Sequence, residues 1–401
     1  MHCIRTITPE VLFLGASDRR LALFESVYPI PRGVSYNSYL VLDEKTVLLD
    51  TADSAVSGQF FENLAEGLQG RPLDYIIVNH MEPDHSATLE EVLRRYPEAK
   101  VVASAKAIGM IGQFFDCDLT GRTIAVKEGD VLNTGRRTFH FVMAPMVHWP
   151  EVMVTYEETE KILFSADAFG TFGALNGNIF ADEVNFETAW LEDARRYYTN
   201  IVGKYGAQVQ SLLKKAAGLE IAYVCPLHGP VWRKAEGIGW FVEKYQRWST
   251  YTPEDRAAAI FVGSIYGNTV NAAEILAARL ADKGVKGIAL YDVSYTHVST
   301  LVAEAFRCSH LVFASATYNA EIYTPMDNFL RDLKSHGLRN RTAALIENGS
   351  WAAVSGKQMT ELLGSMKDMK LLENTVSLKS TVKDRSGLDA LADALAADIL
   401  A

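Results

Sequence analysis

Apolar positions in the first 250 residues fall mostly in short runs closed by polar or turn-forming residues, the pattern of strands. Two such runs are Ser38-Tyr39-Leu40-Val41-Leu42 and Thr46-Val47-Leu48-Leu49-Asp50. Ser57 and Gly58 then open a stretch in which Phe60, Leu64 and Leu68 recur at helical spacing. From Ser86 to Arg95, Leu89, Val92 and Leu93 share one helical face. Strands dominate the reading from Lys100 to Phe164, and Glu187 to Ala216 reads as long helices with a Gly-bearing break. The polar, Pro-bearing stretch Trp248 to Arg256 reads as a linker. Beyond it the pattern changes to strand and helix in strict alternation, with strands at Ala258–Val262, Ile288–Tyr291, Leu311–Ser315 and Thr342–Ile346 and a helix at Val270–Leu280. Repeated βα units predict a parallel, doubly wound sheet. Two domains are expected, 1–250 and 256–401.

Composition narrows the class. The chain has 401 residues, 48% apolar and 22% charged, as in ordinary globular proteins. Its net charge of −10, with Lys and Arg scattered, argues against a nucleic-acid surface. No apolar run approaches membrane-spanning length. No basic segment precedes an apolar core at the N-terminus, so no secretion signal is expected. Cys3, Cys117, Cys225 and Cys308 are dispersed without a C-x-x-C pair, which rules out a local thiolate metal site and fits a reducing cytoplasm.

Candidate chemistry sits where the short strands end. His80, Glu82, Asp84 and His85 lie within six residues, directly after Ile76-Ile77-Val78. His148, Asp167 and His228 follow, each just beyond another apolar run. The pattern is H-x-E-x-D-H, x62, H, x18, D, x60, H. Any one of these groups could be a satisfied structural residue. As a set of His and carboxylate ligands on strand-end loops, they point to a two-metal centre.

Three loops of the second domain carry a different signal. Ser264-Ile265-Tyr266-Gly267-Asn268-Thr269 joins its first strand to its first helix, where hydroxyls and free N–H groups make an anion cradle. Without a G-x-x-x-x-G-K-[ST] or a G-x-G-x-x-G, nucleoside triphosphates and dinucleotides are disfavoured, and a phosphate monoester fits. Ser315-Ala316-Thr317-Tyr318-Asn319 and Asn348-Gly349-Ser350-Trp351 end two later strands, and Tyr318 and Trp351 offer flat faces for an aromatic ring. In open α/β sheets ligands bind at the carboxyl ends of the strands, so FMN is the expected ligand.

With these residues in hand, the chain resembles the flavodiiron proteins over essentially its whole length. The resemblance implies a metallo-β-lactamase-like αββα sandwich carrying a non-haem diiron centre, followed by a flavodoxin-like domain carrying FMN. Asn348-Gly349-Ser350-Trp351 departs from the commoner G-S-[FY]-G-W form of the third flavin loop. Family likeness places His80, Glu82 and His148 on one iron, Asp84 and His228 on the other, and Asp167 between them. His85 is either a ligand or a group behind the ligands. Hydrolytic zinc relatives of the fold carry H-x-H-x-D-H; here Glu82 replaces the middle histidine, and a harder oxygen ligand favours iron. Trp149 follows a ligand and either walls the pocket or packs the core. Tyr197 resembles a family tyrosine whose hydroxyl serves the bound gas, although its neighbour Tyr198 makes packing an equal reading.

Electron counting then suggests reduction of O2 to water, of NO to N2O, or both, with electrons passing from a donor through FMN to the irons. The donor implied by the family is a separate rubredoxin; another reduced flavoprotein or a deazaflavin could serve. A head-to-tail homodimer, or a dimer of dimers, is also implied. The alternatives are a metal-dependent hydrolase with an accessory flavodoxin domain, or an electron-transfer flavodoxin fused to a metal-free module.

Overall fold

A computed structural model describes residues 2–373 and 375–401. The chain forms two compact units, Met1–Tyr198 with Ala207–Gln246, and Thr199–Gly206 with Arg247–Ala401. The short segment 199–206 thus groups with the C-terminal residues rather than with its sequence neighbours.

The first unit is a two-sheet sandwich. Its seven-stranded sheet runs in the order Arg5–Thr8, Val11–Phe13, Tyr39–Val41, Val47–Leu49, Tyr75–Val78, Lys100–Ser104, Thr123–Val126. Pairing is antiparallel up to Val47–Leu49 and parallel beyond it. The second sheet orders Val131–Asn133, Thr138–Met143, Met153–Glu157, Ile162–Phe164 and Tyr223–Cys225, only the last pair being parallel. Tyr39 and Phe164 meet between the sheets, ring centroids 5.4 Å apart. Helix Ser57–Leu68 covers the first sheet closely: a Cβ on Gly67 would stand 2.9 Å from the Leu40 side chain, so glycine sets the approach.

Local structure departs from the sequence reading in four places. The stretch read as long helices from Glu187 to Ala216 is the short helices Phe186–Ala189 and Leu191–Tyr197, two irregular turns, and helix Gly206–Ala216. The helix read from Ser86 to Arg95 is two short helices, Pro83–Ser86 and Leu89–Arg95. Between them the Thr88 hydroxyl donates to the Ala52 carbonyl and accepts from its N–H, pulling the chain out of helical register. Helix Ala105–Phe114 interrupts the region read as strands. Gly109 and Gly112 weaken its propensity, but the Ser104 Oγ caps it and Ala107 and Ile111 bury its inner face. The expected linker is packed: helix Ala235–Ser249 enters it and strand Asp255–Gly263 begins inside it. Trp248 is buried with its indole N–H donating to Glu254 at 2.8 Å, and buried Tyr251 donates its hydroxyl to the Gly203 carbonyl at 2.8 Å.

In the second unit the parallel strands run Ala289–Asp292, Asp255–Gly263, Cys308–Tyr318, Arg341–Asn348, then Met369–Leu371 and Val376–Leu378. This is the 2-1-3-4-5 order of flavodoxin-like sheets. The two-residue period sorts the side chains. Ala259 and Phe261 pack into a core under helices Val298–Arg307 and Thr324–Ser335, while Ala258, Ile260 and Val262 pack into one under Asn268–Asp282 and Ser386–Leu400. Both faces are covered, which is why these strands read as continuous apolar runs.

Candidate metal centre and flavin loops

All seven candidate metal ligands meet at one end of the sandwich. His80 to His85 follow strand Tyr75–Val78, and Pro83 begins the short helix that turns Asp84 and His85 inward. His148 lies beyond Thr138–Met143, Asp167 beyond Ile162–Phe164, and His228 beyond Tyr223–Cys225. Left-handed Ala166 (φ 51°) and Phe169 (φ 68°) bracket Asp167 on a loop that only tight surroundings would hold.

The side chains form two groups, His80–Glu82–His148–Asp167 and Asp84–His85–His228. In the first, Glu82 Oε2 lies 3.2 Å from His80 Nε2 and 3.1 Å from His148 Nε2, and Asp167 Oδ2 lies 3.0 Å from His148 Nε2. In the second, Asp84 Oδ2 is 3.2 Å from His228 Nε2 and 3.3 Å from His85 Nε2. Asp167 turns its other oxygen, Oδ1, toward this group, 3.2 Å from His85 Nε2 and 3.8 Å from His228 Nε2. His85, left open between two roles, therefore points its Nε2 into the second group, 3.0 Å from that of His228.

Groups behind the histidines fix which nitrogen faces inward. His228 Nδ1 is 2.8 Å from the Ser35 carbonyl oxygen, which can only accept, so Nδ1 carries the hydrogen. His80 Nδ1 is held in the same way by Glu151 Oε1 at 2.8 Å. In their neutral forms both rings then present Nε2 lone pairs to carboxylates that also only accept. Asp84 has two buried oxygens with no hydrogen-bond donor among the described residues. Acceptors packed against acceptors need cations between them, either protons or metal ions.

The electrostatics agree. Burial opposes charge on His80, His148 and His228, yet the surrounding carboxylates overcome it. His80 is held well above its ordinary value, His148 rises to about 9, and His228 also rises. Burial likewise opposes ionisation of Glu82 and Asp167, but the facing histidines hold both below the usual carboxylate range. A site with this donor set fits hard or borderline divalent metals, and the three carboxylates suit iron.

Several supporting groups escaped the sequence reading. Glu151 holds His80 and also accepts from the Met81 N–H at 2.9 Å; an acid three residues after a predicted ligand was the available signal. Buried Asp50 accepts from the Asn79 and His80 N–H groups and pins the ligand loop. The ring of Tyr36 stands 5.8 Å from that of His228. The two weaker sequence candidates also lie here. The half-buried Trp149 ring is 5.5 Å from that of His80. Tyr197 is fully buried, 5.4 Å from the His228 ring, and its hydroxyl has no hydrogen-bond partner among the described residues.

In the second unit the three candidate flavin loops share the carboxyl edge of the parallel sheet. Ser264 Oγ accepts from the Gly267 N–H at 3.1 Å, and Gly267 (φ +89°) turns the chain into helix Asn268–Asp282. Buried Thr269 accepts from Asn348 Nδ2 at 3.3 Å, tying the first loop to the third. Ser315 donates to the Ala316 carbonyl, and Thr317 accepts from the Val354 N–H, so these hydroxyls hold loop shape. A Cβ on Gly349 would fall 1.9 Å from the Ala352 carbonyl oxygen, so only glycine fits there. Ile265, Asn319 and Ser350 complete the three loops. Against this ordered backbone, Tyr266 is 91% exposed and Trp351 77%, and Tyr318 also stands out. Tyr295, unnoticed in the sequence, is equally exposed beyond strand Ala289–Asp292. Bare aromatic rings around a helix N-terminus are what a phosphate-bearing aromatic ligand such as FMN requires.

A metallo-β-lactamase-like sandwich with a two-group His/carboxylate centre, joined to a flavodoxin-like unit, defines the class. Known proteins agree. The family described as ODP family beta lactamase matches residues 34–229. The anaerobic nitric oxide reductase flavorubredoxin of Klebsiella pneumoniae is 31% identical over 387 residues, covering 95% of this chain and 78% of that protein. The rubredoxin oxygen:oxidoreductase of Desulfovibrio gigas superimposes with a TM-score of 0.90 at 28% identity, covering 99% of this chain and 98% of that one. The flavodiiron protein of Giardia intestinalis reaches 0.92 over 99% and 97% at 23% identity, a likeness of fold alone. The chain belongs to the flavodiiron protein family and is an oxidoreductase.

Proposed function

We propose that this protein reduces dissolved gases, NO to N2O and O2 to water, with electrons relayed through FMN to a non-haem diiron centre. The observation that carries the reading is the position of Glu82: its carboxylate stands inside the first ligand group, where hydrolytic relatives of the fold place a histidine. That position disfavours the hydrolase alternative. When bound, FMN and two irons together supply the four electrons that reduce O2 to two waters, or two pairs that each join two NO molecules into N2O and water.

In this reading His80, Glu82 and His148 would hold one iron and Asp84, His85 and His228 the other, with Asp167 between the two groups and one of its oxygens turned toward each. Glu151 and the Ser35 carbonyl keep the His80 and His228 rings turned so that Nε2 faces into the ligand groups, where it would meet a metal. Both reductions consume protons. Tyr197 is a candidate to donate one, because its ring lies beside that of His228 and its buried hydroxyl has no partner among the described residues. Trp149 walls the first group against water. In the second unit, the first-loop backbone and Ser264 would receive the phosphate of FMN, and the exposed rings of Tyr266, Tyr318 and Trp351 are available to the flavin. A rubredoxin or another one-electron carrier supplies the flavin, and a head-to-tail homodimer brings one subunit's flavin to its partner's metals. No helix among the described residues is long and apolar enough to cross a membrane, in keeping with a cytoplasmic enzyme.

Metal and flavin analysis followed by stopped-flow reoxidation of the reduced protein tests the proposal. About two irons and one FMN per chain, with rapid reoxidation by at least one gas, are expected. Stoichiometric zinc after growth in iron-replete medium would sink it.

A further inference from the structure

We infer that an apolar cavity behind the metal centre takes up small nonpolar gas molecules and delivers them to the bridging carboxylate; this rests on the gas-reductase reading above. The cavity, about 190 Å³, lies between the outer face of the second sheet and the helices Gly206–Ala216 and Ala235–Ser249. Leu163 and Val224, paired across adjacent strands, form its floor, and Leu212 and Ile238 form its roof. The two-residue period of the strand explains the placement. Leu163 and Ser165 face the cavity, whereas Phe164 faces the opposite sheet and meets Tyr39.

Three features suit a gas rather than water or a metabolite. Among the described residues Ser165 is the only polar side chain in the lining, and its hydroxyl donates to the Ala168 carbonyl at 2.7 Å. A water there would find no side-chain donor and only the spare lone pairs of Ser165 Oγ, short of the roughly two to four partners a buried water needs. Apolar cavities of roughly 150 Å³ stay dry and admit xenon or benzene. The lining also grows more buried from the surface inward. Ala217 is exposed and Leu219 and Ile221 are half-buried at the outer end, while Ser165 and Phe169 are buried at the inner end. Those inner residues flank Asp167, whose Cα lies at most about 7.6 Å from either of theirs. A nonpolar gas partitions from water into such a space, and the cavity's inner wall is made by the residues two positions before and after Asp167, which faces both ligand groups.

Crystals of the holoenzyme pressurised with xenon, together with steady-state kinetics in O2 and in NO, test the assignment. Xenon is expected between strand Ile162–Phe164 and the two helices. Ala216→Phe, which fills the outer half, should exclude xenon and lower kcat/KM for the gas severalfold, with kcat at saturating gas and the iron and FMN contents unchanged. Leu213→Ala, a widening variant that does not depend on tolerance of a larger side chain, should raise xenon occupancy without lowering kcat/KM. Absence of xenon from the wild-type cavity would overturn the assignment while leaving the function standing. So would an Ala216→Phe variant that excludes xenon at unaltered kcat/KM. Xenon uptake by a wild type that reduces neither gas would overturn the proposed function, and the delivery role with it.

Discussion

Metal loading should be a proton exchange, and its size follows from His148. In the metal-free fold, Glu82 and Asp167 face this imidazole at 3.1 and 3.0 Å and raise its pKa to about 9, against roughly 6.5 in an unfolded chain. The folded state therefore binds the proton more tightly. Its contribution to stability, about 3 kcal/mol for a shift of this size, is fully present below roughly pH 6.5 and is lost as pH rises through about 9. A metal takes the same lone pair and must displace the proton. For His148 alone, apparent metal affinity should tighten about fiftyfold between pH 7 and 9, at close to tenfold per unit well below the pKa and levelling off as pH reaches it. His80 and His228 are raised for the same reason and steepen the dependence. Calorimetric titration of the chelator-stripped protein with Fe(II) or Co(II), in buffers of different ionisation enthalpy, counts the protons directly. Denaturant melts should show the metal-free protein losing stability from neutral to alkaline pH, and the loaded protein not doing so. Metal binding at pH 7 without proton release would refute the charge pairing described here.

Glu82→His should weaken iron occupancy or shift the metal toward zinc while leaving FMN bound, because it removes a negative charge and restores a nitrogen-rich site; full gas reduction at normal iron content would remove Glu82 from the ligand set. Tyr197→Phe deletes a hydroxyl that satisfies no other described group, so Tm should hold while turnover falls and the pH–rate profile shifts; unaltered kinetics would assign the ring to packing. Mixed dimers of Thr269→Asp and His148→Ala should regain activity at one of two sites if electrons cross between subunits, and verified mixed dimers that stay dead would favour transfer within one chain. Arg341→Met should cost about 2–4 kcal/mol in the second unit, read as a lower urea midpoint at constant slope, since buried Arg341 donates to the Tyr251 and Ala305 carbonyls.

The candidate ligands could be read from the sequence because their chemistry needs particular side chains, and strand-end loops leave a recognisable pattern of apolar run then ligand. The groups that aim them were harder to see. Ser35 acts through its carbonyl, which every residue possesses, so no residue type marks it. Asp50 closes an apolar run just as Asp167 does, and only the fold shows that one accepts backbone N–H groups while the other faces histidines. In the second unit the alternation of apolar runs is strong because both sheet faces are covered, so the strands Asp255–Gly263 and Arg341–Asn348 extend the expected ones by a few residues. Helix Ala105–Phe114 stayed hidden because its glycines mask a pattern that tertiary burial of Ala107 and Ile111 rescues. The stretch around Trp248 and Tyr251 looked like a linker because its polar composition was visible and its partners, Glu254 and Gly203, were not.

One position can separate redox from hydrolytic chemistry on this scaffold because the pocket is buried. His80, Asp167 and His228 are almost wholly shielded from water. Two divalent ions bring four positive charges against the three carboxylates of Glu82, Asp84 and Asp167, a residual of one; a histidine at 82 would leave two. A unit charge about 4 Å away is worth roughly 4 kcal/mol at an effective dielectric of 20, well above the 1.4 kcal/mol that changes an equilibrium tenfold. With metals bound as proposed, the carboxylate would stabilise their oxidised, more highly charged state relative to the reduced one. Histidine in its place would penalise oxidation, which matters little to a zinc hydrolase whose metals never change charge. Asp167 turns one oxygen to each group, so under the proposed ligand set the same charge argument would extend across the pair.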